Sequence, residues 1–348
     1  MSPMSPDDAA LRALQSAWQQ LPGCDADAVL FLGAQPAPFW PEAATPQWRR
    51  VQPFRPWAEA LSAQGFEVQP ECPQPLRAAR VLVLAPRQRQ WARALMAQAV
   101  RAAVPGGVVL AAAGNQAGGR SLADDLAALA GPVQGLARHH ARAVWTAAPA
   151  DARIDAGLLQ AWCALDAPAP NRAGYISRAG LFAAEAVDAG SALLAAVLPA
   201  DLRGEVADLG AGWGYLACAA LARSPGITGM DLYEADARAL EPARANLARV
   251  RPDLRPGLHW HDVARGLPRR YDAIVCNPPF HAGRDGRPAL GQAFIDAAAG
   301  GLHAHGQLWL VANRHLPYEA TLHRRFGQVR PVRETRGFKV FRAAEPRA

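Results

Sequence analysis

In the second half of this chain an asparagine, two prolines and an aromatic ring close an apolar run: Tyr271-Asp-Ala-Ile-Val-Cys276 is followed by Asn277-Pro278-Pro279-Phe280-His281. The run has the length and content of a buried strand, and the two prolines forbid continuing it as strand or helix. The turn so formed suits a flat base that carries an exocyclic amine. Asn277 Oδ1 and the Pro278 carbonyl can accept its two N–H bonds, with Pro279 shaping the turn and Phe280 stacking on the ring face. An amine held by its hydrogens turns its nitrogen lone pair toward an electrophile. An ordinary strand-to-loop turn opens with the same Asn-Pro pair, so the upstream sequence decides between the two.

Upstream, Val206-Ala-Asp208-Leu-Gly210-Ala-Gly212-Trp-Gly214-Tyr-Leu reads as a strand, a glycine-rich turn and a helix start. Glycines let a ligand lie against the backbone, and the helix start adds free N–H groups and a positive dipole end. A dinucleotide site uses G-x-G-x-x-G with a pyrophosphate at that end. Here the spacing is G-x-G-x-G, and Asp208 would repel a pyrophosphate and attract an ammonium. The expected ligand is therefore zwitterionic, such as the methionyl part of S-adenosylmethionine (AdoMet). Asp231, about twenty residues on at the expected end of the next strand, is the candidate for a ribose hydroxyl. Asp262, after the third strand, could accept from an adenine amine or cap a helix. All these positions fall at strand carboxyl ends, the rim where open α/β sheets bind ligands. A sulfonium donor and an aromatic amine meeting there imply transfer of a methyl group to nitrogen. The leaving sulfide is neutral, so catalysis would be mostly positioning and desolvation.

These motifs need a scaffold of alternating strands and helices, and the chain provides one. At 348 residues two domains are expected. Half the chain is apolar and 19% is charged, as in a globular protein. No uncharged apolar run is long enough to span a bilayer, and the N-terminus is acidic where a signal peptide is basic, so the expectation is a cytoplasmic protein with no membrane partner. Cys24, Cys72, Cys163, Cys218 and Cys276 are scattered without a Cys-x-x-Cys pair, which argues against a disulfide framework and against a metal. The net charge of +7 suits a polyanionic partner, although nearly all of it is arginine and Lys339 is the only lysine.

In the first half, periodicity predicts a helix over 7–21, strands over 28–33, 80–85 and 108–112, a helix over 88–104, and irregular chain from Pro36 to Pro56. A Pro/Ala-rich stretch marks a linker at 164–174 between domains at 1–163 and 175–348. In the second half, a helix is expected from Asp188 to Leu198, stopped by Pro199; strands are expected at 205–209, 227–232, 257–261, 271–276 and 307–312, further helices at 213–223, 235–250, 288–303 and 317–325, and a hairpin over Val329 to Arg342. Pro242 falls inside the expected 235–250 helix, where it should kink it or cost about 3 kcal/mol. The halves echo each other. Leu32-Gly33-Ala34 parallels Leu209-Gly210-Ala211, and Val81 to Pro86 parallels Ile274 to Pro279, but the first copy has Ala85 where Asn277 stands. A duplicated domain whose first copy has lost its chemistry explains this, as does the general likeness of any two α/β domains.

Asp208-Leu-Gly-Ala-Gly-Trp-Gly214 and Asn277-Pro-Pro-Phe280 resemble motifs of the class I AdoMet-dependent N-methyltransferases. With Ile176-Ser-Arg-Ala-Gly-Leu181, Val311-Ala-Asn313-Arg-His-Leu-Pro-Tyr318 and Gly337-Phe-Lys339-Val-Phe-Arg342, the chain from about Tyr175 onward is similar to the bacterial 16S ribosomal RNA guanine-N2 methyltransferases. That resemblance implies an α/β fold of two Rossmann-like methyltransferase domains in tandem. The first would be degenerate and the second a seven-stranded sheet with an antiparallel last strand. It further implies AdoMet as cofactor, ribosomal RNA or the small ribosomal subunit as partner, and a basic collar of Arg178, Arg314, Arg336 and Lys339 around a flipped guanine, with Phe338 as a second stacking face and His281 near the base or phosphate. The loop Ala282-Gly-Arg-Asp-Gly-Arg-Pro288 departs from the family pattern. The rival functions are a glutamine-N5 protein methyltransferase, a DNA adenine-N6 methyltransferase, a methyltransferase for 23S ribosomal RNA, a non-catalytic RNA-binding assembly factor and a nicotinamide-dependent oxidoreductase.

Overall fold

The computed structural model of the chain describes residues 8–21, 28–37, 48–72, 76–146, 153–279 and 288–347. It folds as two compact units, Met1–Ala167 and Pro168–Ala348. In the first, α1 (Asp8–Trp18), β1 (Val29–Leu32), β2 (Trp48–Val51), α2 (Arg55–Ala63), β3 (Val68–Gln69), β4 (Ala78–Leu84), α3 (Arg89–Ala102), β5 (Ala103–Gly114), α4 (Leu122–Ala130), β6 (Val133–Arg138), β7 (Ala141–Thr146) and α5 (Ala156–Cys163) follow in order. The second contains the short pair β8 (Ala169–Pro170) and β9 (Ile176–Ser177), then α6 (Ala189–Val197), β10 (Gly204–Leu209), α7 (Tyr215–Arg223), β11 (Ile227–Glu234), α8 (Leu240–Val250), β12 (Gly257–Trp260), β13 (Tyr271–Cys276), α9 (Pro288–Gly300), β14 (Leu302–Asn313), α10 (Glu319–Arg325), β15 (Phe326–Glu334) and β16 (Phe338–Pro346).

Each unit has a seven-stranded sheet, ordered β3-β2-β1-β4-β5-β7-β6 in the first and β12-β11-β10-β13-β14-β16-β15 in the second. These are the same topology, and in both the last strand in sequence is antiparallel to its neighbours. The echo between halves extends to individual bonds. Gly33 and Ala34 both donate to the Val51 carbonyl, as Gly210 and Ala211 both donate to that of Tyr233.

Strands of the second sheet are apolar on both faces because helices cover both. Val206, Met230 and Leu232 pack with α6 and α7 residues such as Leu194 and Leu216, while Ala207, Leu209 and Tyr233 pack on the other side with Phe294 and Ile295 of α9. α7 ends at Arg223 because Ser224 precedes a proline, which disfavours helical backbone there.

Several boundaries differ from expectation. β2 and part of α2 occupy the proline- and tryptophan-rich stretch read as irregular; Pro56 sits in the first turn of α2, where its missing N–H costs nothing. α8 starts at Leu240 after a separate 3-10 turn at Ala237–Ala239, so Pro242 lies in the first helical turn, with neither kink nor lost bond. The expected linker is structured: Ala164–Asp166 is a 3-10 turn, and Ala169–Pro170 pairs with Ile176–Ser177. Cys72, Cys163, Cys218 and Cys276 are free thiols, and Cys24 lies outside the described residues. Among the described residues no helix is long and apolar enough to cross a membrane, and no group of three or more His, Cys, Asp or Glu side chains could hold a metal ion.

Candidate functional site

The parallel register of β10 and β13 sets Leu209 beside Cys276, so the glycine turn and the Asn277 turn leave the sheet side by side at its carboxyl rim. A β-carbon built on Gly210 would lie 3.9 Å from the Asn277 carbonyl oxygen. Asn277, Gly210, Gly212, Asp188, Ser191 and Phe182 line one cleft there.

The Asn277 amide has a defined orientation. Its Nδ2 donates to Asp188 Oδ2 at 3.0 Å and to Ser191 Oγ at 2.8 Å. A carboxylate only accepts, so the NH2 end must face Asp188, which leaves Oδ1 as the free acceptor of the amide. Asp188 is itself held, because it caps α6 by accepting from the Ser191 N–H at 2.8 Å. The helix from Asp188 is expected from the sequence, but a site role for Asp188 and Ser191 is not. The signal that points to one is an N-cap aspartate before the apolar run of α6.

On the glycine side, Gly210, Gly212 and Gly214 all have positive φ, at 69°, 53° and 85°. Gly212 opens into the cleft, since a β-carbon there would meet no protein atom within 4 Å. Gly214 is needed for packing as well as for φ: a β-carbon would lie 2.9 Å from Leu247 Cδ1. The turn is braced from behind by Asn246, which is 1% exposed and donates to the carbonyls of Trp213 and Ile176, both at 2.8 Å. Trp213 Nε1 donates in turn to the Ala183 carbonyl at 3.2 Å, which pins Phe182 and Ala183 over the glycines. Ala183 has φ of 51°, an uncommon conformation for a residue with a β-carbon, and Phe182 beside it is 54% exposed.

Asp208 lies behind the turn and does not line the cleft. It is 1% exposed, and its Oδ2 accepts from the Ala217 N–H in the first turn of α7 at 3.0 Å. Its Oδ1 has no partner among the described residues. Burial pushes its carboxyl up to about 7, the Ala217 N–H opposes that, and the charge of Glu234 adds to it.

The expected role of Asp231 requires correction. β11 runs three residues past it to Glu234, paired with β10 as far as Tyr233 and with β12 as far as Glu234, so Asp231 sits level with Ala207 inside the sheet rather than at the rim. Its carboxylate accepts from Tyr271 Oη at 2.6 Å and Arg269 Nε at 2.8 Å, and Tyr271 opens β13 at the opposite end of the sheet from Asn277. Arg269 also donates to Glu205 at 2.6 Å. The acid at the rim is Glu234, whose Oε2 accepts from the Gly212 N–H at 2.7 Å and Oε1 from the Asp236 N–H at 2.8 Å. Burial raises the Glu234 carboxyl above its ordinary range, and these two N–H groups pull it back. Glu234 lies some twenty residues past the glycines as Asp231 does, and the sequence spacing alone does not separate the two. Asp262 caps a 3-10 turn, accepting from the Ala264 N–H at 3.0 Å.

The expected basic collar is largely neutralised within the unit. Arg178 is 13% exposed and stands 3.9 Å from Glu241; Arg314 pairs with Glu334 at 3.2 Å, and Lys339 with Glu319 at 2.8 Å. Arg336 is exposed at the β15–β16 turn. Phe338 packs on α6, its ring 3.0 Å from where a β-carbon of Gly190 would sit, and so supports the Asp188 turn. Pro278 and Pro279 follow Asn277 as irregular chain. Phe280 and His281 lie outside the described residues.

Comparison with known proteins follows the same division of the chain. The family model described as "Methyltransferase small domain" matches residues 173–342. Proteins named ribosomal RNA small subunit methyltransferase C are similar to this half. The one from Klebsiella pneumoniae is 36% identical over 163 residues, 47% of each chain, and the one from Psychromonas ingrahamii is 34% identical over 161 residues, 46% of this chain and 45% of its own. The chain thus spans about half the length of the curated relatives it matches. Among solved structures, the T. thermophilus 16S rRNA N2 methyltransferase (RsmC), in complex with AdoMet and guanosine, superposes with a TM-score of 0.76 at 22% identity, covering 97% of this chain and 92% of that one. The tandem fold is therefore shared over nearly the whole length.

Proposed function

We propose that the chain is an AdoMet-dependent methyltransferase acting on the exocyclic N2 of a guanine in 16S ribosomal RNA, with the second unit as the catalytic one. The observation that carries this reading is the Asn277 amide, which lines the cleft of the glycine turn and is oriented by Asp188 and Ser191 so that its oxygen is left as an acceptor. The names of the curated relatives support the substrate class.

The residues present fit AdoMet. Gly212 leaves room against the backbone, Asp208 keeps a buried oxygen that has no partner among the described residues, and Glu234 holds the turn from the rim. The glycine turn and the start of α7 would hold the methionyl part and Glu234 the ribose, with Asp208 offsetting positive charge through the turn. Asp262 is a further candidate for the adenine, provided its capping bond is kept. Bound AdoMet would supply a methyl group on a sulfonium, whose sulfide leaves without charge.

On the acceptor side, Asn277 Oδ1 and the Pro278 carbonyl would accept both hydrogens of the guanine amine, so that the nitrogen lone pair faces away from them. Phe182 or Phe280 would stack on the base, and a flipped nucleotide is the form in which a base reaches such a slot. Of the expected collar, Arg336 is the exposed candidate for a phosphate; Arg178, Arg314 and Lys339 would first exchange an internal carboxylate for it. A ribosomal substrate places the protein in the cytoplasm, with the small subunit or its RNA as partner.

The test is tritiated AdoMet with 30S subunits, naked 16S RNA, DNA and release-factor protein as parallel acceptors. Label in RNA on guanine N2 is expected. Label in DNA or protein alone overturns the substrate, and AdoMet binding with no label in any acceptor favours a binding module.

A further inference from the structure

Phe182 stands on a strap of two consecutive β-turns. The Leu181 N–H donates to the Arg178 carbonyl at 3.3 Å, and the Ala184 N–H to the Leu181 carbonyl at 3.2 Å. Gly180 and Ala183, with φ of 85° and 51°, hold the third position of each turn, and Phe182 falls between them. The central peptide of a β-turn is the part that can flip, because turn types I and II differ in its orientation. Glycine in the third position leaves both orientations open. The first turn therefore needs a partner from outside the strap to fix it.

That partner is Arg238, in the 3-10 turn before α8. It is 4% exposed, and its Nη1 donates at 3.1 Å to the Ala179 carbonyl, the oxygen of the peptide that could flip. Asp236 holds the rest of the fork: Nε donates to Oδ1 at 3.1 Å and Nη2 to Oδ2 at 2.6 Å. A guanidinium gripped in this way is planar and fixed in direction, which an ammonium is not. Desolvation offsets most of the attraction in a buried ion pair, and the best-attested use of such a pair is to fix register. Asp236 is tied in turn to the cofactor side of the cleft. Its N–H donates to Glu234 Oε1 at 2.8 Å, while Glu234 Oε2 accepts from the Gly212 N–H at 2.7 Å. One chain of bonds thus runs from the glycine turn through Glu234, Asp236 and Arg238 to the strap that carries Phe182.

We propose that Arg238 is a positioning residue that sets Phe182 over the acceptor base from the cofactor side of the cleft. It acts through the strap and not on a reacting atom. The inference rests on Phe182 as the stacking ring and Glu234 as the ribose acid, and it deepens that reading by naming what keeps the two in register. With the Ala179 carbonyl released, the first turn flips and Phe182 leaves its place. The glycine turn stays, because Asn246 holds it separately through the Trp213 carbonyl at 2.8 Å.

The experiment uses the full-length protein as wild type, Arg238→Lys, Arg238→Met, Phe182→Ala and Arg238→Lys/Phe182→Ala. Lysine keeps a cation beside Asp236 but cannot span from it to the Ala179 carbonyl, and methionine fills much of the same space without a donor, so a poor fold in one leaves the other. Steady-state transfer to 30S subunits, AdoMet affinity by calorimetry, and hydrogen exchange of residues 178–184 by mass spectrometry are measured on each. Both Arg238 variants are expected to raise KM for the subunit about tenfold, the scale of one base–aromatic stack, with kcat and AdoMet affinity within about twofold of wild type. Exchange in the strap should quicken roughly tenfold or more. In the Phe182→Ala background Arg238→Lys should raise KM no further, since both changes act through one ring. A general loss of stability would instead lower kcat and AdoMet affinity and would multiply with Phe182→Ala, which overturns the proposal. Unchanged KM with normal labelling condemns this proposal alone. Label absent from every acceptor in the wild type condemns the catalytic reading alone, because exchange still reports the strap: protection lost in both Arg238 variants supports the proposal, and unchanged protection overturns it.

Discussion

Replacing Asp188 by alanine tests the orientation of the Asn277 amide directly. In the native protein the carboxylate accepts two bonds, the capping bond from the Ser191 N–H at 2.8 Å and the bond from Asn277 Nδ2 at 3.0 Å. Loss of the cap costs about 1 kcal/mol, and a bond to a charged group contributes about 1.5–3 kcal/mol. Together they predict about 2.5–4 kcal/mol, or a melting temperature lower by roughly 5–15 °C for a unit of this size. The catalytic effect has a separate origin. Ser191 Oγ, the remaining partner, can donate as well as accept. Without Asp188 nothing fixes which end of the amide its nitrogen occupies, and its oxygen is no longer held in place. A slot loosened on the scale of 1 Å costs about 100-fold in turnover. Asp188→Asn should behave differently, because one amide oxygen can accept from both Ser191 N–H and Asn277 Nδ2. Exchanging a charged for a neutral acceptor costs about 1 kcal/mol, roughly fivefold. The assay is steady-state methyl transfer to 30S subunits below the melting temperature of each variant, with melting followed by circular dichroism. A folded Asp188→Ala protein with wild-type kcat would refute the reasoning. So would Asp188→Asn losing as much turnover as Asp188→Ala.

Asn277→Ala should abolish transfer while leaving AdoMet affinity within about twofold by calorimetry; retained turnover would remove the asparagine from the mechanism. Glu234→Ala should weaken AdoMet binding by roughly 10–100-fold, as expected for loss of a charge-assisted bond, whereas Asp231→Ala should act mainly on thermal stability by removing the acceptor that Tyr271 and Arg269 share; equal AdoMet affinity in the Glu234 variant would contradict the rim assignment. The Asp208 carboxyl is raised from 3.8 to about 7, so the native state holds its proton more tightly than the unfolded chain. Its contribution to stability is present below 3.8 and lost as pH rises through about 7, up to ~4 kcal/mol for a fully buried group. Asp208→Asn should therefore flatten the stability profile between pH 4 and 7, measured by denaturant unfolding, and an unchanged slope would exclude this titration. Phe182→Ala should raise KM for the RNA about tenfold, the scale of one base–aromatic stack, with AdoMet affinity unaltered; a loss confined to AdoMet would move the ring to the cofactor.

Much of the site was legible because local chemistry decides it. Glycines at 210, 212 and 214 permit the positive φ that this turn adopts, and two prolines after an apolar run end a strand whatever packs on it. Strand and helix periods likewise located most of the second sheet and suggested its repetition in the first. Short elements with weak periods were not legible: β2 spans four residues, and the β6–β7 hairpin carries its histidines in a turn without glycine. Pro242 was misread because its effect depends on where the helix starts, which neighbouring turns determine.

The sequence by itself thus determined which residue types stand at the rim and that two similar sheets carry them. Only the tertiary structure decided what each polar group does. Asp188 reaches Asn277 across 89 residues, Glu234 replaces Asp231 at the rim because parallel pairing carries β11 three residues past Asp231, and the arginines divide into those with a carboxylate and those without. The reason is physical. A side chain's φ preference or apolarity is its own, but an acceptor, a counter-charge or a burial depends on what the rest of the chain brings within about 3 Å of it.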